Sequence, residues 1–127
     1  MLKLAKKLWP LNRSLSGKGV DQSLEIIKKE IPINIINFKS GTKVFDWKIP
    51  NVWEINDAWI KDSKDKKILS FKDNNLHIVG YSAHVNKTLN LNDLKKKLYS
   101  IKDKPNAIPY VTSYYKKDWG FCIEHKK

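Results

Sequence analysis

The residues Ser40-Gly41-Thr42-Lys43-Val44-Phe45-Asp46-Trp47-Lys48-Ile49-Pro50-Asn51-Val52-Trp53-Glu54-Ile55-Asn56-Asp57-Ala58-Trp59-Ile60-Lys61-Asp62 carry three of the chain's five tryptophans. The stretch opens on a turn dipeptide, Ser40-Gly41, and is interrupted once, at Pro50. Between these breaks the apolar residues Val44, Phe45, Trp47, Val52, Trp53, Ile55, Ala58 and Ile60 sit at strand-like spacing, the pattern of a pleated, half-buried surface. The spacing predicts two or three short strands around a proline turn. Tryptophans at this density are expected to nucleate a β core. The plainer reading of any one of them is an aromatic side chain that fills space.

Upstream, Leu4, Leu8 and Leu11 recur at helical spacing opposite Lys3, Lys6 and Lys7, which predicts a helix over 1–11 that Pro10 ends or kinks. Asn12 to Gly19 is a loop containing Ser16-Gly17-Lys18-Gly19. It lacks the full spacing of a phosphate-binding loop, so a plain connection is expected. A second helix is predicted from about Val20 to Glu30, with Val20, Leu24, Ile27 and Ile31 as its stripe and Asp21 in its first turn. After Pro32, the run Ile33-Asn34-Ile35-Ile36-Asn37-Phe38 reads as a strand rich in β-branched residues. The change of pattern at Ser40 marks the expected domain boundary.

Downstream, a charged turn over 62–67 leads into a short strand, Ile68-Leu69-Ser70-Phe71. A second turn, Asp73-Asn74-Asn75, leads into another, 76–81. Leu91, Leu94, Leu98 and Ile101 predict a third helix over 91–101, with Asn90 as its N-cap and Asp93 three residues on. Its lysines, Lys95, Lys96 and Lys97, fall mostly on the solvated side. Residues 108–115 read as an extended segment. A lysine-rich turn follows, then a last strand from Trp119 to His125, which predicts an open β edge.

The length of 127 residues suits one modest core, and 41% hydrophobic residues with 11% aromatic residues describe a folded chain. No run approaches a membrane span, and no signal peptide is recognisable, so a cytoplasmic location is expected. Cys122 is the single cysteine, so no internal disulfide is expected. The net charge of +12 would attract a polyanion. Yet Arg13 is the only arginine, whereas phosphate forks and base readout favour arginine, so nucleic-acid binding is not the favoured class.

The chemical inventory is thin. His77 lies inside a strand pattern and reads as a packed residue rather than a ligand. Cys122 and His125, three apart, are half a metal site at most, since zinc takes three or four protein ligands. The carboxylates Asp46, Glu54, Asp57 and Asp62 have no spacing that assigns acid and base roles. From its residues alone the chain is a basic α+β domain.

Longer motifs add to this. Trp9-Pro10, Arg13-Ser14, Ser16-Gly17-Lys18-Gly19-Val20 and Leu24 open the series. Ser40-Gly41-Thr42-Lys43-Val44-Phe45-Asp46-Trp47, Pro50, Trp53, Ile55, Asp57-Ala58, Ile60 and Asp62 continue it. Asn75-Leu76-His77, Tyr81-Ser82, Ile108-Pro109-Tyr110-Val111-Thr112-Ser113-Tyr114-Tyr115 and Trp119-Gly120-Phe121-Cys122 complete it. In this order they resemble the N-terminal part of a family of prokaryotic zinc aminopeptidase-like proteins. In that family the peptidase fold is interrupted by a small β-rich domain of unknown function, and a winged helix usually lies at the far C-terminus. Asp21 departs from the pattern, where the family favours arginine.

The resemblance implies an α+β chain. Residues 1–39 would be the N-terminal helices and strand of the zinc-peptidase α/β fold, and 40–127 part of the inserted, sandwich-like β-rich domain with its one helix. It further implies a fragment of a zinc-dependent peptide hydrolase, with zinc held in the intact family by ligands absent from this chain, which alone binds none and is inactive. Its partners would be the missing part of the peptidase domain and, in the intact enzyme, a peptide substrate. Arg13, the loop through Gly19, and Tyr114, Trp119 and His125 are the candidates for facing a substrate cleft. Two other classes stay open. One is a stand-alone β-type binding module for carbohydrate or protein, with exposed tryptophans as its platform. The other is a basic nucleic-acid-binding domain.

Overall fold

In the computed structural model, residues 2–114 and 116–127 are described. Met1, the first residue of the expected opening helix, and Tyr115, the last of the 108–115 segment, lie outside the described residues. The elements are α1 (Leu2–Leu8), α2 (Lys18–Lys28), β1 (Lys43–Val44), β2 (Trp47–Lys48), β3 (Trp59–Lys61), β4 (Lys67–Ser70), a 3-10 turn (Asn75–His77), α3 (Leu91–Lys95), β5 (Leu98–Tyr99) and β6 (Phe121–Cys122). Helices and three two-stranded sheets make this an α+β chain. It divides into two compact units, 1–55 and 56–127.

In the first unit, α1 ends just before Pro10, as proline's missing N–H and fixed φ require. Leu4 and Leu8 are its less exposed positions, and Leu11 is half-buried just beyond its end. The N-terminal turn of α2 is closed by the Gly17 carbonyl, which accepts from Val20 N at 2.9 Å and Asp21 N at 3.1 Å. Position 19 admits only glycine: a Cβ there would lie 1.8 Å from the Asn12 carbonyl oxygen. Ser23, buried one turn on, donates to the Gly19 carbonyl at 2.6 Å. The strand expected over 33–38 does not form. These residues run without turn, bend or ladder, because nothing among the described residues pairs with them.

β1 and β2 pair antiparallel in the register Val44↔Trp47. Their two-residue connection places Phe45 at φ 54°, a conformation that favours glycine. Phe45 is 93% exposed and Trp47 45% exposed. The tryptophan stretch therefore does not nucleate the core. Its tail is held to the start of α2 instead, where Lys18 Nζ lies 3.1 Å from Glu54 Oε2. Residues 40–55 thus fall within the first unit.

The second unit contains the apolar core: Leu69, Val79, Phe121 and Cys122, with His77 and Ser70 buried beside them. β3 and β4 form an antiparallel pair with an irregularity after Ile60. The expected strand over 76–81 begins instead as the 3-10 turn, because the Asn74 side chain accepts from Leu76 N at 2.9 Å. Asn90 caps α3 as expected, accepting from Asp93 N at 2.9 Å. The helix nevertheless stops at Lys95. The Lys97 carbonyl is taken by Phe121 N at 2.8 Å, and Leu98 and Tyr99 turn into a strand parallel to β6.

Candidate functional site

The segment 118–123 is the spine of the second unit. On one side Phe121 N donates to Lys97 O at 2.8 Å and Ile123 N to Tyr99 O at 2.9 Å. On the other, Val79 N donates to Gly120 O at 3.0 Å and Ala83 N to Asp118 O at 2.8 Å. A further layer follows: Gly80 N donates to Val111 O at 2.9 Å, and Ser113 N donates to Gly80 O at 2.8 Å. Gly120 makes the close approach feasible, since a Cβ there would lie 2.9 Å from Lys97 O and 2.8 Å from Tyr99 Cε2. Four segments distant in sequence thus converge: 79–83, 97–99, 111–114 and 118–123.

Charged and aromatic side chains gather at this junction. Lys97 Nζ lies 2.5 Å from Asp118 Oδ1 and 5.7 Å from the Trp119 ring centroid. Lys97, and then the Trp119 backbone N–H at 2.8 Å, hold the Asp118 carboxyl below its ordinary range, so it is a fixed anion near neutral pH. The Trp119 ring meets Phe121 edge-on at 6.4 Å. Tyr81 and Tyr114 form a second T-shaped pair, 5.1 Å between centroids. Tyr81 sits at φ 62°, costly for an aromatic residue, and such positions gather at functional sites. Ser82 Oγ donates to Val79 O at 2.7 Å and accepts from Gly120 N at 3.3 Å.

Two of the residues singled out in the sequence, Tyr114 and Trp119, belong to this junction. His125 lies further along the spine, exposed, with Nδ1 2.8 Å from Ser100 Oγ. Arg13 is exposed in the loop before α2, in the first unit. Lys97, read from the sequence as a solvated helix lysine, Tyr81, named only within the Tyr81-Ser82 motif, and Asp118 are not among the cleft candidates. Lys97 and Asp118 are 21 residues apart, too far for any local pattern to join them, and a backbone outlier at Tyr81 leaves no trace in composition.

The junction presents aromatic and paired charged side chains. Cys122 is fully buried, and burial pushes its thiol up to about 11, against a smaller opposite effect from the Val111 backbone. It is therefore a poor nucleophile and metal ligand near neutral pH. Three of the four carboxylates named from the sequence are engaged within the fold. Glu54 pairs with Lys18 and Asp57 with Lys72 at 3.3 Å, while Asp62 accepts from Lys64 N and Lys66 N. Among the described residues, no three His, Cys, Asp or Glu side chains gather where they could hold a metal ion. The donor set needed for zinc is thus not assembled by them. No helix among them is long and apolar enough to cross a membrane.

A family model described as "Domain of unknown function (DUF2172)" matches residues 52–127, which include the whole junction. The chain belongs to this family. The DUF2172 chain is also 48% identical over 124 residues to a Clostridium acetobutylicum protein named "Putative polysaccharide biosynthesis protein with aminopeptidase-like domain". That similarity covers 98% of this chain and 29% of the relative. A crystal structure from the same organism, titled as a "putative peptidase", matches with a TM-score of 0.93 at 47% identity, again over 98% of this chain and 29% of the other. The DUF2172 chain therefore spans less than a third of the length of the peptidase-like proteins it resembles.

Proposed function

We propose that this chain is one part of an aminopeptidase-like hydrolase and shapes access to its substrate cleft, while the catalytic groups lie in other polypeptide. The observation that carries this reading is the match of nearly the whole chain, at a TM-score of 0.93, to 29% of a peptidase-like protein. In this reading residues 1–39 belong to the peptidase domain and 40–127 to the inserted β-rich domain. Zinc, where bound in such an enzyme, polarises the scissile carbonyl and activates water. In this reading the zinc ligands come from other polypeptide, and the chain by itself is inactive. Trp119 and the Tyr81–Tyr114 pair supply aromatic surface for a peptide. The fixed Asp118 carboxylate, balanced by Lys97, holds that surface in place.

The test is hydrolysis of aminoacyl-anilide substrates by the intact Clostridium acetobutylicum relative and by the purified 127-residue chain, each with zinc and with chelator. Zinc-dependent turnover by the relative and none by the chain supports the reading. Turnover by the chain alone, or none by the relative, overturns it.

A second reading is a carbohydrate-binding surface on the β3–β4 pair. Trp59 is 44% exposed there, with Lys61 Nζ 4.9 Å and Lys67 Nζ 6.0 Å from its ring centroid. An exposed indole can stack on a sugar face. Protection of Trp59 fluorescence from a neutral quencher by an added oligosaccharide would favour this reading.

A further inference from the structure

Among the described residues, the first unit has no fully buried hydrophobic side chain. All buried hydrophobic residues among those described lie in the second unit, while Trp9, Ile36, Phe38, Phe45, Trp47 and Val52 of the first are exposed. The segment 33–38 concentrates this deficit. It is uncharged, three of its six residues are β-branched isoleucines, and it runs without turn, bend or ladder. None of its backbone N–H or C=O groups finds a partner among the described residues. Ile33 and Ile35, which share one face of an extended chain, are half-buried. The alternate face carries Ile36, 74% exposed, and Phe38, 70% exposed. A strand apolar on both faces belongs inside a sheet covered on both sides, not at a solvated edge. An unpaired segment of this composition is a template for strand pairing.

We infer that 33–38 is an acceptor strand, completed by a β-strand and a covering layer from the polypeptide that makes up the remainder of the longer peptidase-like relatives. This inference rests on the reading proposed above and names the contact through which the chain joins the rest of such an enzyme. Two observations select this occupant. The same fold, at a TM-score of 0.93, occurs in a protein of which it is only 29%, so most of that polypeptide is available to cover it. A second copy of this chain is disfavoured by charge. The charged residues flanking the segment, Lys28, Lys29, Glu30 and Lys39, are net positive, and a chain of net charge +12 would bring like charges together on self-pairing.

Hydrogen–deuterium exchange resolved by peptide fragment tests this on two proteins as they exist, the 127-residue chain and the intact Clostridium acetobutylicum relative. In the 127-residue chain the 33–38 amides exchange at nearly the unprotected rate. In the relative, the matching segment exchanges on the order of 100-fold more slowly or better, as ladder-bonded amides do. Equally fast exchange in the relative would overturn the inference. So would protection of 33–38 in the 127-residue chain accompanied by a dimeric mass, which would assign the strand to a second copy. The exchange result is independent of turnover: a relative that protects the segment yet hydrolyses nothing would retain the strand pairing and remove the peptidase reading.

Discussion

His77 Nδ1 lies 2.8 Å from the backbone carbonyl oxygen of Cys122, 45 residues away, and both residues are buried. The ring N–H donates, fixing the 3-10 turn to β6 where the second unit's core is centred. Removing the ring leaves a buried carbonyl without its donor as well as a void. His77→Ala is therefore expected to lower unfolding stability by about 2–4 kcal/mol in urea titrations. A loss below about 0.5 kcal/mol would show that the contact contributes little.

Cys122 gives a chemical probe of the same core. Its thiol is fully buried and held up to about 11 by burial. In the native chain at pH 8 it should react with an aromatic disulfide reagent roughly 100-fold more slowly than in urea, because the thiolate is both scarce and inaccessible. Equal rates, followed by absorbance, would place it at the surface.

Asp118 sets an acid limit. Its carboxyl is depressed by Lys97 first and by the Trp119 N–H second, relative to an ordinary value of 3.8. A depressed folded-state value means that this stabilisation is fully present above the ordinary value and is lost as pH falls through the folded one. Asp118→Asn should therefore be less stable than the wild type near neutral pH, and the difference should shrink as pH falls below 3.8. Thermal unfolding of both proteins from pH 6 to pH 2.5, about the span in which carboxylates titrate, checks the sign. A difference independent of pH would remove the electrostatic account.

The two glycine-related positions act in opposite directions. Gly120→Ala should destabilise by roughly 1–3 kcal/mol, because its Cβ would press on the Lys97 carbonyl and the Tyr99 ring. Phe45→Gly should stabilise by about 1 kcal/mol, since Phe45 occupies a left-handed conformation and its side chain is solvated. Denaturant midpoints report both. A destabilised Phe45→Gly would mean that the phenyl ring makes contacts that offset its strain.

Sequence reasoning reached what is decided locally. The α1 stripe and its stop at Pro10, the α2 segment, the strand around Leu69 and the Asn90–Asp93 cap all depend on neighbours a few residues away. It failed where distant backbone decides. The helix expected over 91–101 is cut short because Phe121 N takes the Lys97 carbonyl, and 76–81 is bent at its start by the Asn74 cap. The tryptophan stretch has the alternation of a core, yet Trp47 and Trp59 remain partly exposed while the core forms around Val79 and Cys122. Periodicity names a face that can be buried; it does not name the partner that buries it. For the site, Tyr114 and Trp119 were legible as aromatic residues in long motifs. Their association with Lys97 and Tyr81 depends on the crossing of four remote segments.

The most direct measurement is to read the DNA that follows codon 127. If the chain is one part of an aminopeptidase-like hydrolase, the same or a shifted frame continues into sequence bearing histidine and acidic zinc ligands, related to the remainder of the Clostridium acetobutylicum protein. Unrelated sequence beyond a true stop, with no such segment encoded nearby, would contradict the proposal and leave the chain to act alone.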